Sequence, residues 1–216
     1  YAGSQNELGG NDMAEKLLVI NPGSTSTKIA VYHREKQLFL KNIKHEAKEI
    51  AAFDHISDQY GFRKEIILKE VAEAGFELKD FDIIVGRGGL LKPISGGVWL
   101  VNDEMKKDLK VGVMGQHASN LGGLIASDIA ESIPGARAII ADPVVVDELS
   151  DLARVSGHPL MPRCSIFHAL NQKAIARKHA KQEGKAYEDM NLIVVHLGGG
   201  ISVGAHYQGN VIDVNQ

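Results

Sequence analysis

The order of apolar and polar residues along the chain predicts three consecutive strands, followed by helices that alternate with strands. The first three strands are predicted where short apolar runs lie between turn residues, in KLLVIN, STKIAVYH and QLFLKNIKH. Apolar residues then recur at helical spacing within residues 46–75, and the pattern ends at Gly75. This order of elements indicates a mixed sheet with helices packed on it.

The middle of the chain continues the alternation of helices and strands. FDIIVGRGG and GGVWLVN each predict a strand, residues 120–133 predict a helix despite Gly122 and Gly123, and ARAIIAD predicts another strand. We expect Ser165 to be the N-cap of a further helix. The apolar face of that helix is predicted to contain Phe167, Leu170 and Ala174.

The last stretch, NLIVVHLGGGISVGAHYQGNVIDV, predicts strand, glycine turn, strand, and it is similar to the start of the chain. At an offset of 175 residues (192 minus 17), LLVINPGSTSTKIAVY lies over LIVVHLGGGISVGAHY. The match indicates either a duplicated hairpin or the composition that strand–turn–strand segments share. A duplication would give each of two lobes a turn that binds one side of a polyphosphate. The identical pairs are Leu17/Leu192, Val19/Val194, Gly23/Gly198, Ala30/Ala205 and Tyr32/Tyr207.

Both turns contain the small residues that bind phosphate through backbone N–H groups, but neither matches a standard fingerprint. A P-loop needs a second glycine and a following helix, and residues 23–28 have neither. The dinucleotide fingerprint fails because Gly204 follows Gly200 one residue too late and the next segment is a strand. The sequence therefore predicts hairpin tips that offer N–H groups to phosphate, with an ordinary exposed turn as the alternative for each tip taken alone.

Composition narrows the possible partners. The 216 residues are 44% hydrophobic and 24% charged, which is typical of one large globular domain or two small ones. The net charge is −3 and the basic residues are scattered, so neither nucleic acid nor an anionic membrane is the expected partner. No apolar run approaches the ~18 residues of a membrane helix. Cys164 is the single cysteine; we interpret it as a small buried hydrophobe, and it is consistent with a cytoplasmic location.

The domain organisation is predicted from the same patterns. Residues 1–12 are polar and rich in glycine, and we interpret them as a disordered or tag-like extension before Met13. Residues 13–146 are predicted to form a first lobe, and residues 147–216 the start of a second.

Six motifs occur along the chain in a fixed order: INPGSTSTKIAVY, VGRGG, MGQHASNLGG, ADPVVVDELS, RCSIFHALNQKAIAR and VVHLGGGISVGAH. Together they resemble the butyrate kinases, relatives of acetate kinase in the acetate and sugar kinase/Hsp70/actin superfamily. The resemblance extends over residues 13–216. It implies an α/β fold with a ribonuclease H-like mixed sheet and flanking helices, as in actin-like ATPases. It also implies reversible phosphoryl transfer between ATP and butyrate with Mg²⁺, in a homodimer or higher homo-oligomer.

The implied chemistry is electrostatic. A carboxylate nucleophile is already ionised at neutral pH, so the site must neutralise phosphoryl charge rather than remove a proton. The catalytic residues that the resemblance implies are Arg87, His168 and Asp142, and Asp142 is also the implied ligand of Mg²⁺, through water. The implied phosphate- and nucleotide-binding residues are Asn21, Ser24, Ser26, Lys28, His196, Gly198, Gly199 and Gly200. The implied substrate-binding residues are Arg87, His117 and Asn120.

Each of these residues has a structural alternative. Asn21 precedes a proline and could serve turn formation, and Asp142 could cap a helix before Pro143. A lone histidine is more often structural than functional. Asp147 and Glu148 are interpreted as the solvated start of a helix.

The butyrate kinases that the chain resembles continue well past its last residue, so we expect a truncated chain without the adenosine pocket. Such a chain would leave apolar strand surface and a sheet edge open to solvent. We therefore expect it to be oligomeric or prone to aggregation, and very weakly active. A catalytically silent scaffold of the same fold is the alternative, as is a kinase for acetate, propionate or isobutyrate.

Overall fold

A computed structural model describes residues 15–215. Contacts divide them into two compact units, one made of residues 15–91 and 98–141, the other of residues 92–97 and 142–215. The second unit thus takes a short segment from within the first.

The predicted extension at residues 1–12 lies outside the described residues. The predicted lobes, residues 13–146 and 147–216, stay a prediction, while the division by contacts falls after residue 141.

The first unit contains a six-stranded mixed sheet with the order β3-β2-β1-β4-β6-β5. The first three strands are antiparallel neighbours, β4 and β6 run parallel to β1, and β5 pairs antiparallel with β6. This is the mixed sheet that the sequence predicts, and all six strands were predicted. Their bounds are β1 Lys16–Pro22, β2 Ser26–His33, β3 Lys36–Lys44, β4 Ile83–Gly86, β5 Val98–Leu100 and β6 Arg137–Ala141.

The helices of the first unit are α1 (Ala47–Ile50), α2 (Tyr60–Glu73), α3 (Asp103–Val111) and α4 (Asn120–Glu131), with short 3₁₀ turns at Ile56–Gln59 and Leu78–Asp80. The helical pattern of residues 46–75 is therefore divided between two helices and a turn. The sequence analysis did not predict α3. Its ends carry the usual signals, since the Asn102 side chain accepts the Met105 N–H and Gly112 ends the helix at φ 66°.

The core of the first unit includes the central strands of the sheet. Leu18, Ile20, Ile29 and Ile84 are completely buried in the central strands, and Ile67 of α2 is buried with them. Burying a side chain of this size stabilises the fold by about 1.5–3 kcal/mol. The alternation of apolar residues predicted from the sequence therefore places the strands correctly.

Gly122 of α4 and Gly86 of β4 allow the helix to approach the end of the strand closely. A Cβ at Gly122 would lie 2.5 Å from the carbonyl oxygen and 2.9 Å from the amide nitrogen of Arg87. A Cβ at Gly86 would lie 2.4 Å from the Gly122 carbonyl oxygen. Both contacts are backbone to backbone, so no side chain can rotate away. This packing explains why α4 contains Gly122, although glycine weakens helices.

We expect Gly122→Ala to destabilise the protein by about 1–3 kcal/mol, because the added methyl group overpacks against the backbone of Arg87. Gly61→Ala is the matched control: it also lies in a helix, but a Cβ there meets nothing within 4 Å. The control should raise the free energy of unfolding by up to about 1 kcal/mol. Urea denaturation of both variants measures the difference, and equal effects would contradict the packing argument.

The second unit contains a three-stranded antiparallel sheet with the order β7-β8-β9 and one longer helix, α5. The sequence predicts its first two strands but not β9, which follows a tight turn where Gln208 and Gly209 have φ of 50° and 81°. The bounds are α5 Ala169–Gln182, β7 Asn191–Leu197, β8 Ile201–Tyr207 and β9 Asn210–Asn215, with 3₁₀ turns at Leu152–Arg154 and Tyr187–Asp189. No helix among the described residues is both long and apolar enough to cross a membrane.

The predicted start of α5 is wrong. Ser165 does not cap the helix, because its hydroxyl donates to the Val146 carbonyl (2.6 Å). The N-cap residue is His168, and the helix begins at Ala169. The predicted apolar face is also wrong: Phe167 precedes the helix, and Leu170 and Ala174 are exposed. The buried face consists of Ala169, Gln172, Lys173, Ala176 and Ala180. Two long polar residues on that face hid it from an analysis of hydrophobicity.

The first and last strand pairs are both antiparallel hairpins, and their duplication stays a prediction. The first leaves residues 23–26 between its last paired positions, Pro22 and Thr27, whereas the second leaves only residues 198–200. One face of the second hairpin is apolar and exposed, including Ile193 (70%) and Leu197 (75%). At the 175-residue offset (193 minus 18), Ile193 corresponds to Leu18, which is completely buried. The second sheet thus presents to solvent a face that the first sheet covers.

Candidate functional site

The turn between β1 and β2 is the first predicted phosphate-binding segment. The Gly23 N–H donates to the Ser26 carbonyl oxygen (2.7 Å), which closes the turn. Ser24 is exposed at its tip and Ser26 is half-buried. Lys28 is exposed on β2 and pairs with Asn21 across the hairpin.

Arg63 of α2 stabilises this turn through hydrogen bonds, a role that the sequence analysis missed. Its guanidinium is completely buried and donates to the carbonyl oxygens of Ser24 (3.3 Å) and Ser26 (3.2 Å). It also donates to the Thr27 hydroxyl (3.0 Å) and to the Gln59 side chain (2.9 Å). Burial lowers the pKa of Arg63. Arg63 shares the buried face of α2 with Ile67 and Val71. The sequence signal that could have revealed its role is an arginine within a buried i, i+4, i+8 series.

Arg87, the catalytic and substrate-binding arginine that the resemblance implies, lies directly after β4. Its backbone N–H donates to the Ile20 carbonyl (2.8 Å), so the residue continues the parallel pairing of β4 with β1. Its Nη1 donates to the Asn21 side-chain oxygen (3.2 Å), and the side chain is only half-buried. The structure therefore brings together two of the predicted residues, Asn21 and Arg87, from strand ends that are far apart in sequence.

His117 lies in the field of Arg87 and is held in one tautomer. Its Nδ1 accepts the Ser119 backbone N–H (3.1 Å) and lies 2.7 Å from the Ser119 hydroxyl. Because a backbone N–H can only donate, Nδ1 carries no proton and the ring N–H is at Nε2. Burial lowers the pKa of His117, and the charge of Arg87 lowers it further. The imidazole is therefore a neutral Nε2–H donor at neutral pH. We call Asn21, Arg87 and His117 the arginine cluster.

Asn120 makes structural hydrogen bonds to the backbone of the first unit. Its side-chain oxygen accepts the Leu90 N–H (2.9 Å) and its amide nitrogen donates to the Gly115 carbonyl (2.9 Å). The residue is buried, with 2% of its surface exposed. A substrate contact by Asn120 stays a prediction, but both ends of the amide already bind backbone groups.

An open groove of about 750 Å³ lies elsewhere on the first unit, along α3 and α4. Its lining includes Asn120 and Gln116 but neither Asn21 nor Arg87. Its walls carry Lys106, Lys107 and Lys110 together with three carboxylates, Asp103, Asp128 and Glu131. The groove is therefore distinct from the arginine cluster.

In the second unit, Asp142 has a strained backbone that two reciprocal hydrogen bonds hold. Its φ is 36°, unusual for a residue with a side chain. Its backbone N–H donates to the Gly97 carbonyl (2.9 Å), and its Oδ1 accepts the Gly97 N–H (2.7 Å). Its Oδ2 accepts from Arg177 of α5 (2.8 Å). Strain that is locked in this way is typical of functional positions.

Glu148 and Lys173 form a buried ion pair one helical turn away along α5. Lys173 Nζ lies 2.6 Å from both Glu148 oxygens, and the side chains are 2% and 9% exposed. Glu148 also accepts the N–H groups of Gly96 (3.0 Å) and Val211 (2.7 Å). The predicted solvated helix start at Asp147 and Glu148 is therefore wrong. Asp147 instead pairs with Arg154 (2.8 Å), and the segment is not helical.

His168 and His196 meet beside the glycine turn of the second hairpin. Their rings are stacked, with centroids 3.8 Å apart and planes within 5°. A Cβ at Gly200 would lie 3.3 Å from His168 Nε2, and a Cβ at Gly198 would lie 3.1 Å from His196 Nε2. The Nε2 edges of both rings thus border the turn. Asn171 lies 2.7 Å from the other nitrogen of His196, Nδ1. We call His168, His196 and Gly198–Gly200 the histidine cluster.

Behind His168, buried polar side chains form a continuous series of hydrogen bonds. His168 Nδ1 lies 2.8 Å from the Ser202 hydroxyl, which Gln172 Nε2 contacts at 2.9 Å. Gln172 Oε1 lies 3.0 Å from His206 Nε2, and the Tyr187 hydroxyl lies 2.7 Å from His206 Nδ1. Ser202 and Gln172 are completely buried and His206 is 2% exposed. The sequence analysis missed this series because its members come from β8, α5 and a 3₁₀ turn.

We expect the stability of the protein to fall as the pH drops from about 6.5 to about 4, because His206 resists protonation. The pKa of His206 is lowered to about 4, chiefly by burial and also by the charges of Lys173 and Arg177, while Glu148 acts in the opposite direction. A depressed histidine pKa means that the unfolded chain takes up the proton first, so stability is lost on acidification. The loss is about 3 kcal/mol. Urea denaturation at several pH values should give a weaker pH dependence for His206→Gln. Identical pH profiles would contradict this.

Cys164 is exposed, so the prediction of a buried hydrophobe is wrong. Among residues 15–215, no group of three or more His, Cys, Asp or Glu side chains could hold a metal ion. Asp142 is the one predicted ligand, and both of its oxygens already accept hydrogen bonds, from Gly97 and Arg177. Each oxygen keeps a second lone pair, so the residue fits a contact through water better than direct coordination.

No protein-family model matches the chain. Curated relatives do. Butyrate kinase 2 of Clostridium acetobutylicum is 58% identical over 203 residues, which are 94% of this chain and 57% of that protein. Butyrate kinase 1 of the same organism is 59% identical over 200 residues, which are 93% of this chain and 56% of that protein. A probable butyrate kinase of Bacteroides thetaiotaomicron is 56% identical over 200 residues, with the same two coverages, 93% and 56%. The chain thus spans a little over half the length of the relatives that it matches.

Solved structures agree with the fold. An acetate kinase of Porphyromonas gingivalis matches with a TM-score of 0.67 at 18% identity, over 93% of this chain and 57% of that one. A propionate kinase of Francisella tularensis matches with a TM-score of 0.63 at 18% identity, over 93% and 56%. At this identity the likeness concerns the fold alone, and it confirms the predicted mixed sheet of the actin-like ATPases. By its sequence, the chain is therefore similar to butyrate kinases at 58–59% identity, and it spans a little over half their length.

Proposed function

We propose that the protein transfers a phosphoryl group reversibly between ATP and a short-chain carboxylate, with butyrate as the acid. The observation that carries the proposal is the grouping of the required donors within each unit. Arg87 contacts Asn21 in the first unit, and in the second two stacked imidazoles border a glycine turn. The identity of 56–59% to proteins named butyrate kinases supports the choice of reaction.

The donors suit a reaction that brings a carboxylate towards a phosphoryl group. Both reactants are anions, so the barrier falls when fixed positive charges and N–H groups neutralise the phosphoryl oxygens. Arg87 supplies a planar guanidinium for two oxygens at once. The neutral imidazole of His117 supplies an Nε2–H next to it. The turns at residues 23–26 and 198–200 supply backbone N–H groups, and His168 and His196 border the second turn.

The proposed reaction uses Mg²⁺ together with ATP. Bound Mg²⁺ would neutralise charge on the phosphate chain. Asp142 would hold the ion through water, since the Asp142 oxygens already accept hydrogen bonds from Gly97 and Arg177. Arg177 and Gly97 keep the carboxylate oriented for that contact.

Butyrate is the proposed acid, with acetate, propionate and isobutyrate as competitors. One methylene group changes discrimination by only about 1–3 kcal/mol, so neighbouring acids should react as well. A homodimer or higher homo-oligomer is the proposed assembly, which the exposed apolar face with Ile193 and Leu197 supports.

Acyl hydroxamate formation tests the function. The protein is incubated with MgATP, hydroxylamine and one acid at a time. Because the chain spans 57% of its relatives' length, it is assayed alone and joined to the part of C. acetobutylicum butyrate kinase 2 that the match leaves uncovered. We expect the joined protein to favour butyrate and the chain alone to be very weak. A folded joined protein that is inactive with all four acids would contradict the proposal and favour a silent scaffold.

A further inference from the structure

The buried series behind His168 has a direction that chemistry determines. Gln172 Nε2 lies 3.2 Å from the backbone carbonyl oxygen of Ser202. A carbonyl can only accept, so this atom of Gln172 is the amide nitrogen and Oε1 is the acceptor at the other end. His206 must then donate its Nε2–H to Oε1, and its Nδ1 accepts the Tyr187 hydroxyl. The carbonyl of Ser202 therefore orients one end of the series.

The hydrogen bonds of Ser202 also determine the tautomer of His168. The Ser202 hydroxyl oxygen accepts from Gln172 Nε2 (2.9 Å) and receives a longer contact from the His168 backbone N–H (3.4 Å). A hydroxyl oxygen has two lone pairs, and both face donors here. The hydroxyl hydrogen is then free to donate, and His168 Nδ1 lies 2.8 Å from the hydroxyl oxygen. Ser202 therefore donates to Nδ1, which leaves the ring proton of His168 on Nε2.

We propose that Gln172 and Ser202 are positioning residues that hold the His168 imidazole as its Nε2–H tautomer, so that the ring presents a donor to the glycine turn. The tautomer itself follows from the geometry, while its use in phosphoryl transfer rests on the proposed function. With the proton on Nδ1, the ring would turn a lone pair towards the anionic oxygens that the turn is proposed to bind. That arrangement repels the substrate instead of binding it.

A glycine in β8 makes room for this arrangement. A Cβ at Gly204 would lie 2.3 Å from Gln172 Oε1 and 3.1 Å from His206 Nε2. No side chain at position 204 is compatible with the Gln172–His206 hydrogen bond. The backbone of β8 thus provides the anchoring carbonyl at Ser202 and, two residues on, the space for the amide.

Heteronuclear NMR of the histidine ring nitrogens tests the proposal without substrate. The full chain is labelled with ¹⁵N and measured at a pH near 8, above the ordinary histidine pKa of about 6.5, where neutral rings dominate. The signals of His168 are identified by their absence in His168→Gln. We expect the wild-type ring to carry its proton on Nε2. A ring protonated on Nδ1, or an even mixture of the two tautomers, would overturn the proposal.

Two variants separate the positioning role from a merely structural one. Ser202→Ala removes the donor to Nδ1, and we expect at least a threefold drop in the ratio of Nε2–H to Nδ1–H tautomers. Tyr187→Phe is the matched control: it removes a hydroxyl from the far end, so the His168 ratio should stay as in the wild type. An unchanged ratio in Ser202→Ala would overturn the proposal. If Ser202→Ala does not fold, Gly204→Ala replaces it, with the same drop expected from the clash with Gln172.

The readout also distinguishes this proposal from the function on which it rests. The tautomer is a property of the folded chain, so it is measured whether or not acyl phosphate forms. If the wild-type tautomer is as expected and the assay above shows no kinase, the positioning stands and the reaction is wrong. If the kinase is active and Ser202→Ala leaves both kcat and the tautomer ratio unchanged, the reaction stands and the positioning is wrong.

Discussion

Arg87→Met is expected to lower kcat/KM for acyl phosphate formation by about 10²–10³-fold, with little change in stability. The loss would follow from removing the guanidinium that we propose to bind the reacting anions, since one preorganised donor contributes on this scale. Methionine keeps most of the aliphatic stem. The backbone N–H of residue 87 still donates to Ile20, so the strand end should keep its conformation. The assay uses whichever form of the protein is active in the hydroxamate test.

Arg87→Lys separates charge from shape. An ammonium keeps the positive charge but cannot bind two oxygens in a plane, so we expect an intermediate loss. Arg34→Met is the control for removing an arginine from the hairpin turn between β2 and β3, away from the arginine cluster. Full activity in Arg87→Met would show that the clamp is misassigned, even if the protein is a kinase.

Arg63→Met is expected to destabilise the protein by about 3–5 kcal/mol. The guanidinium is completely buried and donates to two backbone carbonyls, a hydroxyl and an amide oxygen. Methionine fills much of the volume but leaves these acceptors without a donor, and each such buried group costs about 1–3 kcal/mol. The loss of a desolvated charge offsets part of this, because burial already disfavours ionised Arg63.

The measurement is the free energy of unfolding in urea. Lys69→Met, on the same helix with a side chain that is 72% exposed, is the control and should change stability by less than about 0.5 kcal/mol. Since Arg63 binds the carbonyls of Ser24 and Ser26, a stable variant should also bind nucleotide more weakly. A destabilisation below about 1 kcal/mol would show that the turn does not depend on Arg63.

Two residues of the arginine cluster, Asn21 and Arg87, lie where strands end, whereas the third, His117, lies between two helices. Asn21 and Arg87 end β1 and β4, which are parallel neighbours, so their carboxyl ends meet at one edge of the sheet. The resemblance to the butyrate kinases implied both residues, and the parallel register of β1 and β4 explains why they meet. The three-dimensional role of Asn120 was not predictable in the same way, since its partners, Leu90 and Gly115, lie in segments without periodicity.

Helix boundaries show where local patterns fail. The start of α5 was misplaced because serine is a residue type preferred at the N-cap, yet the Ser165 hydroxyl donates to a carbonyl nineteen positions earlier. Its buried face was misassigned because Gln172 and Lys173 are polar. Both are buried only because Ser202, His206 and Glu148 satisfy them, and no local pattern carries that information.

By itself, the sequence determined the strands of the first sheet and their grouping into a mixed sheet, the glycine turns at the hairpin tips and the residue types available to bind an anion. These depend on the alternation of side chains along strands and on turn chemistry, which are local. Only the tertiary structure decided which polar side chains are buried, as with Arg63 under the first turn and Gln172 behind His168. A polar side chain is buried when partners from distant segments satisfy its hydrogen bonds, so its place depends on the whole fold rather than on its neighbours in sequence.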